Sequence, residues 1–163
     1  MIPGIVQPDL LRVDKNIILT RKTSNFEFAL KWYQDPQTIR LVCGVDETPY
    51  SLQEVYYMYN EQNRMSELYF IEYLIDGAYT PIGDVALSKN DLPIVIGEER
   101  FRSKGIGKKV LLTLIERARL LKFDTMGVKE VFNYNLASQN LFKSVGFVKA
   151  RDTKNGVSFI MYL

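Results

Sequence analysis

Residues 102–121 read RSKGIGKKVLLTLIERARLL, with two glycines at the head of an otherwise well-formed helical pattern. Ile106, Val110, Leu114, Ala118 and Leu121 fall on one face at the 3.6-residue period, and Leu111 and Ile115 widen it. Lys108, Lys109, Glu116, Arg119 and Lys122 face away. Glycine costs a helix interior about 1 kcal/mol against alanine, so Gly105 and Gly107 need a compensating reason. A helix start carries four N–H groups without internal partners and the positive end of the helix dipole. An anion satisfies both if it comes close to the main chain, where a Cβ would stand in its way. Arg102, Lys104, Lys108 and Lys109 add positive charge around that point.

Upstream lies IVIGEERF (94–101), a strand and a loop. Strand, basic glycine loop and helix together predict a seat for a phosphate or pyrophosphate. The segment lacks the G-x-x-x-x-G-K-[ST] spacing, and Val110 stands where G-x-G-x-x-G needs its third glycine. From these residues alone, a tight turn with a solvated basic rim is an equal alternative.

The rest of the chain supplies a sheet for this helix. NIILTRKT (16–23) predicts a strand. Ser24 and Glu27 fit a capping box, which predicts a helix ending before Pro36. LVCGVDETPY (41–50) reads as a loop, and Ser51 with Glu54 starts a second helix. ELYFIEYLI (67–75), PIGDVALS (81–88) and LPIVIG (92–97) read as three strands, GVKEVFNYN (127–135) as a fourth. LASQNLFKSVG (136–146) predicts a short helix ended by Gly146, and FVKARD and VSFIMYL a closing hairpin around TKNG. The fold class is α/β (α+β), one domain over residues 1–163.

Composition excludes several chemistries. The chain has no histidine, which removes Ser-His and Cys-His catalysis and the commonest metal ligand, so no metal is expected. Lys plus Arg number 21 and Asp plus Glu 19, too even and too scattered for a nucleic-acid surface. No apolar run reaches the ~18 residues of a membrane helix, and MIPGIVQPDLLRVDKN lacks the basic-then-apolar pattern of a secretory leader. The single cysteine, Cys43, predicts a packing residue and a reducing, cytoplasmic setting.

RSKGIG resembles the Q/R-x-x-G-x-G/A acyl-coenzyme A loop of the GNAT (GCN5-related) N-acetyltransferases. NLASQNLFKSVGF (135–147) is similar to the N-x-A-S-x-x-L-[YF]-x-x-x-G-F stretch of that family, some 30 residues further on. ALKWYQDPQTIR (29–40) is similar to a W-x-x-D-P stretch of two branches, the ribosomal-protein N-terminal and the aminoglycoside 6′-N-acetyltransferases. The resemblance implies a mixed, mostly antiparallel sheet of six to seven strands with a central splay, flanked by about four helices. It implies acetyl-CoA as cofactor. The pyrophosphate would lie on Arg102, Ser103, Lys104, Gly105, Ile106 and Gly107 beside Lys108, and the pantetheine arm on the backbone of Ile94 and Ile96. Asn135 aligns with a family residue that touches the cofactor, and Asn also caps helices well.

Acetyl transfer from sulfur to an amine needs a proton acceptor for the ammonium, a donor for the carbonyl oxygen and help for the departing thiolate. In many relatives a tyrosine at the position of Phe142 is the acid. Phenylalanine cannot donate a proton, which leaves Ser138 and Tyr134 as substitutes. Glu72, Glu98 and Glu99 are the candidate bases, with Asp84 next to them. Glu72 by strand alternation shares a face with Leu68, Phe70 and Leu74. An acceptor pocket lined by Asp46, Glu47, Glu72 or Asp84 and tyrosines of EVYYMY would suit a cationic amine, a small molecule or a protein N-terminus. The alternatives are a catalytically silent acyl-CoA-binding module and an unrelated phosphate-binding regulatory domain. The resemblance also implies a possible homodimer.

Overall fold

The computed structural model describes residue 4 and residues 6–163. Two short strands open the chain, β1 (Leu10–Arg12) and β2 (Ile17–Thr20), of which the first is absent from the sequence reading. Helices α1 (Leu30–Gln34), α2 (Pro36–Val42) and α3 (Leu52–Met65) follow. Then come β3 (Glu67–Ile75), β4 (Ala78–Leu87), β5 (Ile94–Ile96), α4 (Ile106–Leu120), β6 (Thr125–Phe132), α5 (Leu136–Ser144), β7 (Val148–Asp152) and β8 (Gly156–Tyr162).

The strands make two antiparallel sheets, β1-β2-β3-β4-β5 and β6-β8-β7. The expected splay is thus a complete break: among the described residues no ladder joins β5 to β6. One end stays closed, where the Gly127 N–H donates to the Lys89 carbonyl at 2.9 Å and the Lys129 N–H to Asp91 Oδ1 at 3.1 Å.

The five-stranded sheet is covered on both faces. On β3, Tyr69 and Ile71 join a core with Val110, Leu111, Leu114 and Ala118 of α4, and Phe142 and Phe159 belong to the same core. Leu68 and Phe70 face the other way, into an aromatic cluster with Phe26, Trp32, Tyr33 and Tyr59. Burial on both faces explains why β3 reads as a continuous apolar run rather than an alternation.

Two expected features differ at the N-terminal helices. Ser24 and Glu27 form no capping box; a short 3-10 turn at Glu27–Ala29 leads into α1 without a side-chain cap. Pro36 does not end a helix before a loop but opens α2 at its first position, after Asp35 in an extended conformation. The ring of proline disfavours a helical residue before it, and its missing N–H costs nothing in the first turn. The Asp35 carboxylate then accepts from the Gln37 and Thr38 N–H groups at 3.2 Å each. At Ser51 and Glu54 the expected capping box is present. Among the described residues no helix is long and apolar enough to cross a membrane.

Candidate active site

Where β5 and β6 part, a cleft of about 750 Å³ opens. Ile94, Val95 and Ile96 form one wall and residues 128–132 of β6 the other; Ser138, Leu141 and Phe142 of α5 and the start of α4 complete one side. The opposite side is α2, through Gln37, Thr38, Leu41, Val42 and the following Cys43. Since β5 and β6 lack a mutual ladder, their facing edges can take an extended ligand by main-chain hydrogen bonds.

At one end of the cleft α4 begins. Its N-cap, Gly105, has φ 75° and ψ 3°, and no side chain caps the helix. The amides of its first turn therefore have no side-chain acceptor, and the helix dipole adds partial positive charge there. The two glycines have separate structural reasons. Gly105 needs a left-handed conformation, and a Cβ there would meet nothing within 4 Å. At Gly107 a Cβ would lie 3.0 Å from Leu141 Cδ2, so this glycine lets α5 pack against α4. Lys108 lines the cleft and pairs with no carboxylate among the described residues, whereas Lys109 is held by Asp14 at 2.7 Å.

Nine of the ten expected cofactor contacts line this cleft: Ile94, Ile96, Arg102, Ser103, Gly105, Ile106, Gly107, Lys108 and Asn135. Lys104 points elsewhere, with its ammonium 5.9 Å from the centre of the Phe101 ring. The Arg102 side chain is already engaged. Nε donates to the Ile96 carbonyl at 2.9 Å, and Nη2 reaches Thr38 Oγ1 at 2.8 Å, the Gly97 carbonyl at 3.1 Å and Asp35 Oδ2 at 3.4 Å. Asn135 caps α5, accepting from the Ser138 N–H at 3.1 Å, and its Nδ2 donates to the Leu41 carbonyl at 3.1 Å.

Of the four expected catalytic side chains, Ser138 alone lines the cleft. Tyr134 donates its hydroxyl to the Arg40 carbonyl at 2.5 Å and stacks on Phe132. Glu72 lies on the aromatic-cluster side of β3, accepting from Thr20 Oγ1 at 2.7 Å and paired with Lys22 at 2.9 Å. Glu98 is paired with Lys31 and accepts from Trp32 Nε1 at 2.9 Å. Partial burial pushes the Glu98 carboxyl up, but these two donors outweigh it and hold the group below the usual range, which weakens it as a base. Nor do Asp46 and Glu47 line the cleft; both sit exposed on the loop after α2. Phe142 is 2 % exposed and packs against Phe147 and Phe159, so the position of the usual acid is apolar core.

Asp84 is the most perturbed carboxyl. It is 2 % exposed, and its Oδ2 accepts from the hydroxyls of Tyr59 at 2.9 Å and Tyr33 at 3.0 Å. Desolvation raises its pKa to about 7 against the pull of the two hydroxyls. Cys43 borders the cleft with Sγ 3.3 Å from the Tyr50 hydroxyl, and burial pushes its thiol up, away from nucleophilic thiolate character.

Sequence reading missed α2, which forms a whole side of the cleft. Asp35-Pro36 carried the signal: an N-cap residue followed by proline at the first helical position starts a helix as readily as it ends the preceding one.

Comparison with known proteins places these features. A family model described as acetyltransferase (GNAT) family matches residues 26–147. No curated protein sequence matches the chain. Among solved structures, a domain from Methanocaldococcus jannaschii superimposes with TM-score 0.81 at 20 % identity, covering 92 % of this chain and all of that one. AAC(6')-Ib in complex with ribostamycin and coenzyme A gives TM-score 0.74 at 13 % identity over 91 % of this chain and 94 % of that one. RimL, a ribosomal alpha-N-protein acetyltransferase, gives 0.70 at 14 % identity over 94 % of each chain.

Proposed function

The chain belongs to the GNAT acetyltransferase family, and from that premise we propose that it is an N-acetyltransferase that uses acetyl-CoA to acetylate a primary amine by direct attack. The observation that carries this is the uncapped start of α4, facing a cleft between two strands that do not pair. Acetyl-CoA supplies an activated acetyl group whose sulfur is a fair leaving group. First-turn amides of α4 and the unpaired Lys108 suit its pyrophosphate, and the free edge of β5 at Ile94 and Ile96 suits an extended amide-bearing arm.

The chain's own residues then act by position. The amine nitrogen forms a bond to the carbonyl carbon as the carbon–sulfur bond breaks. A main-chain N–H near Ile96 stabilises the charge that develops on the carbonyl oxygen. Ser138, the one candidate hydroxyl on the cleft wall, donates a proton toward the departing sulfur. The amine loses its proton to water, since Glu98 and Glu72 are tied up in ion pairs. Orientation in a partly desolvated cleft supplies most of the acceleration. The acceptor is a small-molecule amine or a protein N-terminus, the two kinds of acceptor represented by AAC(6')-Ib with ribostamycin and by RimL. A reducing cytoplasm suits the lone Cys43 thiol.

Calorimetry with acetyl-CoA, followed by thiol release with a panel of amines and N-terminal peptides, tests this. Wild type binds and turns over with at least one class, and Gly105→Glu abolishes binding while the thermal transition remains. Absence of binding at millimolar acetyl-CoA overturns the reading. Binding without thiol release by any acceptor favours a silent acyl-CoA-binding module, a second reading that the apolar environment of Phe142 supports.

A further inference from the structure

We propose that α2 is a crosspiece between the two sheets, and that Arg102 is its positioning residue rather than a ligand of the cofactor phosphates. The tethers lie at both ends of this helix. On the β5 arm, the Arg102 guanidinium joins Thr38 Oγ1 and Asp35 of the α2 start to the carbonyls of Ile96 and Gly97. On the β6 arm, the Tyr134 hydroxyl takes the Arg40 carbonyl at 2.5 Å, and Asn135 Nδ2 takes the Leu41 carbonyl at 3.1 Å. These are carbonyls of the last turn, which have no partner within the helix.

The physical consequence is conditional order. A seven-residue helix is far below the length at which helices are stable alone. The stability of α2 therefore comes from its caps and its contacts with the two arms, and no ladder holds those arms together on the open side. Leu41, Val42 and Cys43 of this segment line the cleft. Arg102 begins the loop that leads into α4, and Ser103 next to it has φ 58°, a strained value for a side-chain-bearing residue. A ligand that fixes this loop fixes the guanidinium, and through it the α2 wall. Four acceptors, one of them the Asp35 carboxylate, already claim the guanidinium, leaving Lys108 and the amides for an anion. Donor binding thus builds the wall against which the acceptor sits, which favours binding of the donor first. This inference rests on the reading of residues 102–107 as the cofactor loop.

Hydrogen exchange of the full chain, with coenzyme A as the probe, tests it. In wild type, saturating coenzyme A slows exchange of the α2 amides at residues 39–43 by about tenfold or more. Thr38→Val and Asp35→Asn keep the affinity for coenzyme A within about threefold, under half the tenfold step worth 1.4 kcal/mol, yet lose the coenzyme-dependent protection; asparagine still caps the helix. Arg102→Gln behaves like them, and its affinity keeps the wild-type salt dependence. The proposal is overturned if coenzyme A binds wild type without protecting α2, or if both α2 variants retain the protection. It is equally overturned if Arg102→Gln flattens the salt dependence, as loss of a phosphate contact does. Failure of wild type to bind coenzyme A at all sinks the cofactor reading along with it, so the two failures are told apart by the binding isotherm alone.

Discussion

Gly97 lies flat against the indole of Trp32, so close that a Cβ built on residue 97 would overlap Trp32 Cγ, Cδ2 and Cδ1. Trp32 is 2 % exposed and its Nε1 donates to Glu98, so the ring has nowhere to retreat. Gly97→Ala is expected to cost about 1–3 kcal/mol by overpacking. At roughly 2–4 °C per kcal/mol for a chain of this size, the melting temperature falls by several degrees. Trp32→Phe in the same chain relieves part of the overlap, so the double variant is less destabilised than the sum of the two. An additive result in thermal melts would show that the two residues do not press on each other.

Asp84 sets a pH dependence of stability with a definite sign. Its pKa is about 7 in the folded chain, first because of burial, and about 3.9 in an unfolded one. The folded state therefore holds more protons between those values, and stability falls as pH rises from about 4 to 7, by at most about 1.4 kcal/mol per unit, and is flat above. Asp84→Asn keeps an acceptor for Tyr33 and Tyr59 and removes the titration. Denaturant unfolding across this range should show wild type losing stability with pH and the variant losing less; equal slopes would contradict the buried-carboxyl assignment.

Ser138 is expected to affect turnover more than affinity. Ser138→Ala removes the hydroxyl but leaves the Ser138 N–H on the Asn135 cap intact. General acids contribute about 10²–10⁴ in rate, and a serine at the low end of that range predicts a kcat roughly a hundredfold lower. Coenzyme A affinity by calorimetry should barely move. A kcat like that of wild type would remove Ser138 from the reaction and leave the thiolate to solvent.

Two neighbouring lysines should separate by their partners. Lys108 lines the cleft unpaired, while Asp14 neutralises Lys109 at 2.7 Å. Lys108→Ala should weaken coenzyme A binding and reduce its salt dependence, because one fewer cation meets the phosphates. Lys109→Ala should do less of both, and also lose the contact that ties α4 to the turn before β2. Titrations at two salt concentrations check this, and a larger effect at Lys109 would move the phosphates to the other side of the helix.

The sequence alone determined the elements with strong local signals. α4 declared itself through Ile106, Val110, Leu114 and Ala118 at helical spacing, α3 through the Ser51–Glu54 box, and β3 through nine apolar, aromatic and β-branched positions. The glycine loop and the Asn135 segment located the cofactor side of the cleft, because main-chain geometry at a helix start depends on a few adjacent residues. Tertiary structure decided the rest. Whether Glu72, Glu98 or Tyr134 has a free functional group depends on Lys22, Lys31 and the Arg40 carbonyl, each brought from far along the chain by folding. The same holds for α2: its Asp35-Pro36 start was legible, but its carbonyl partners lie 94 residues away, across a gap between two sheets. Local patterns record how a segment satisfies its own backbone; which charges remain unspent in a cleft is settled only when distant side chains compete for them.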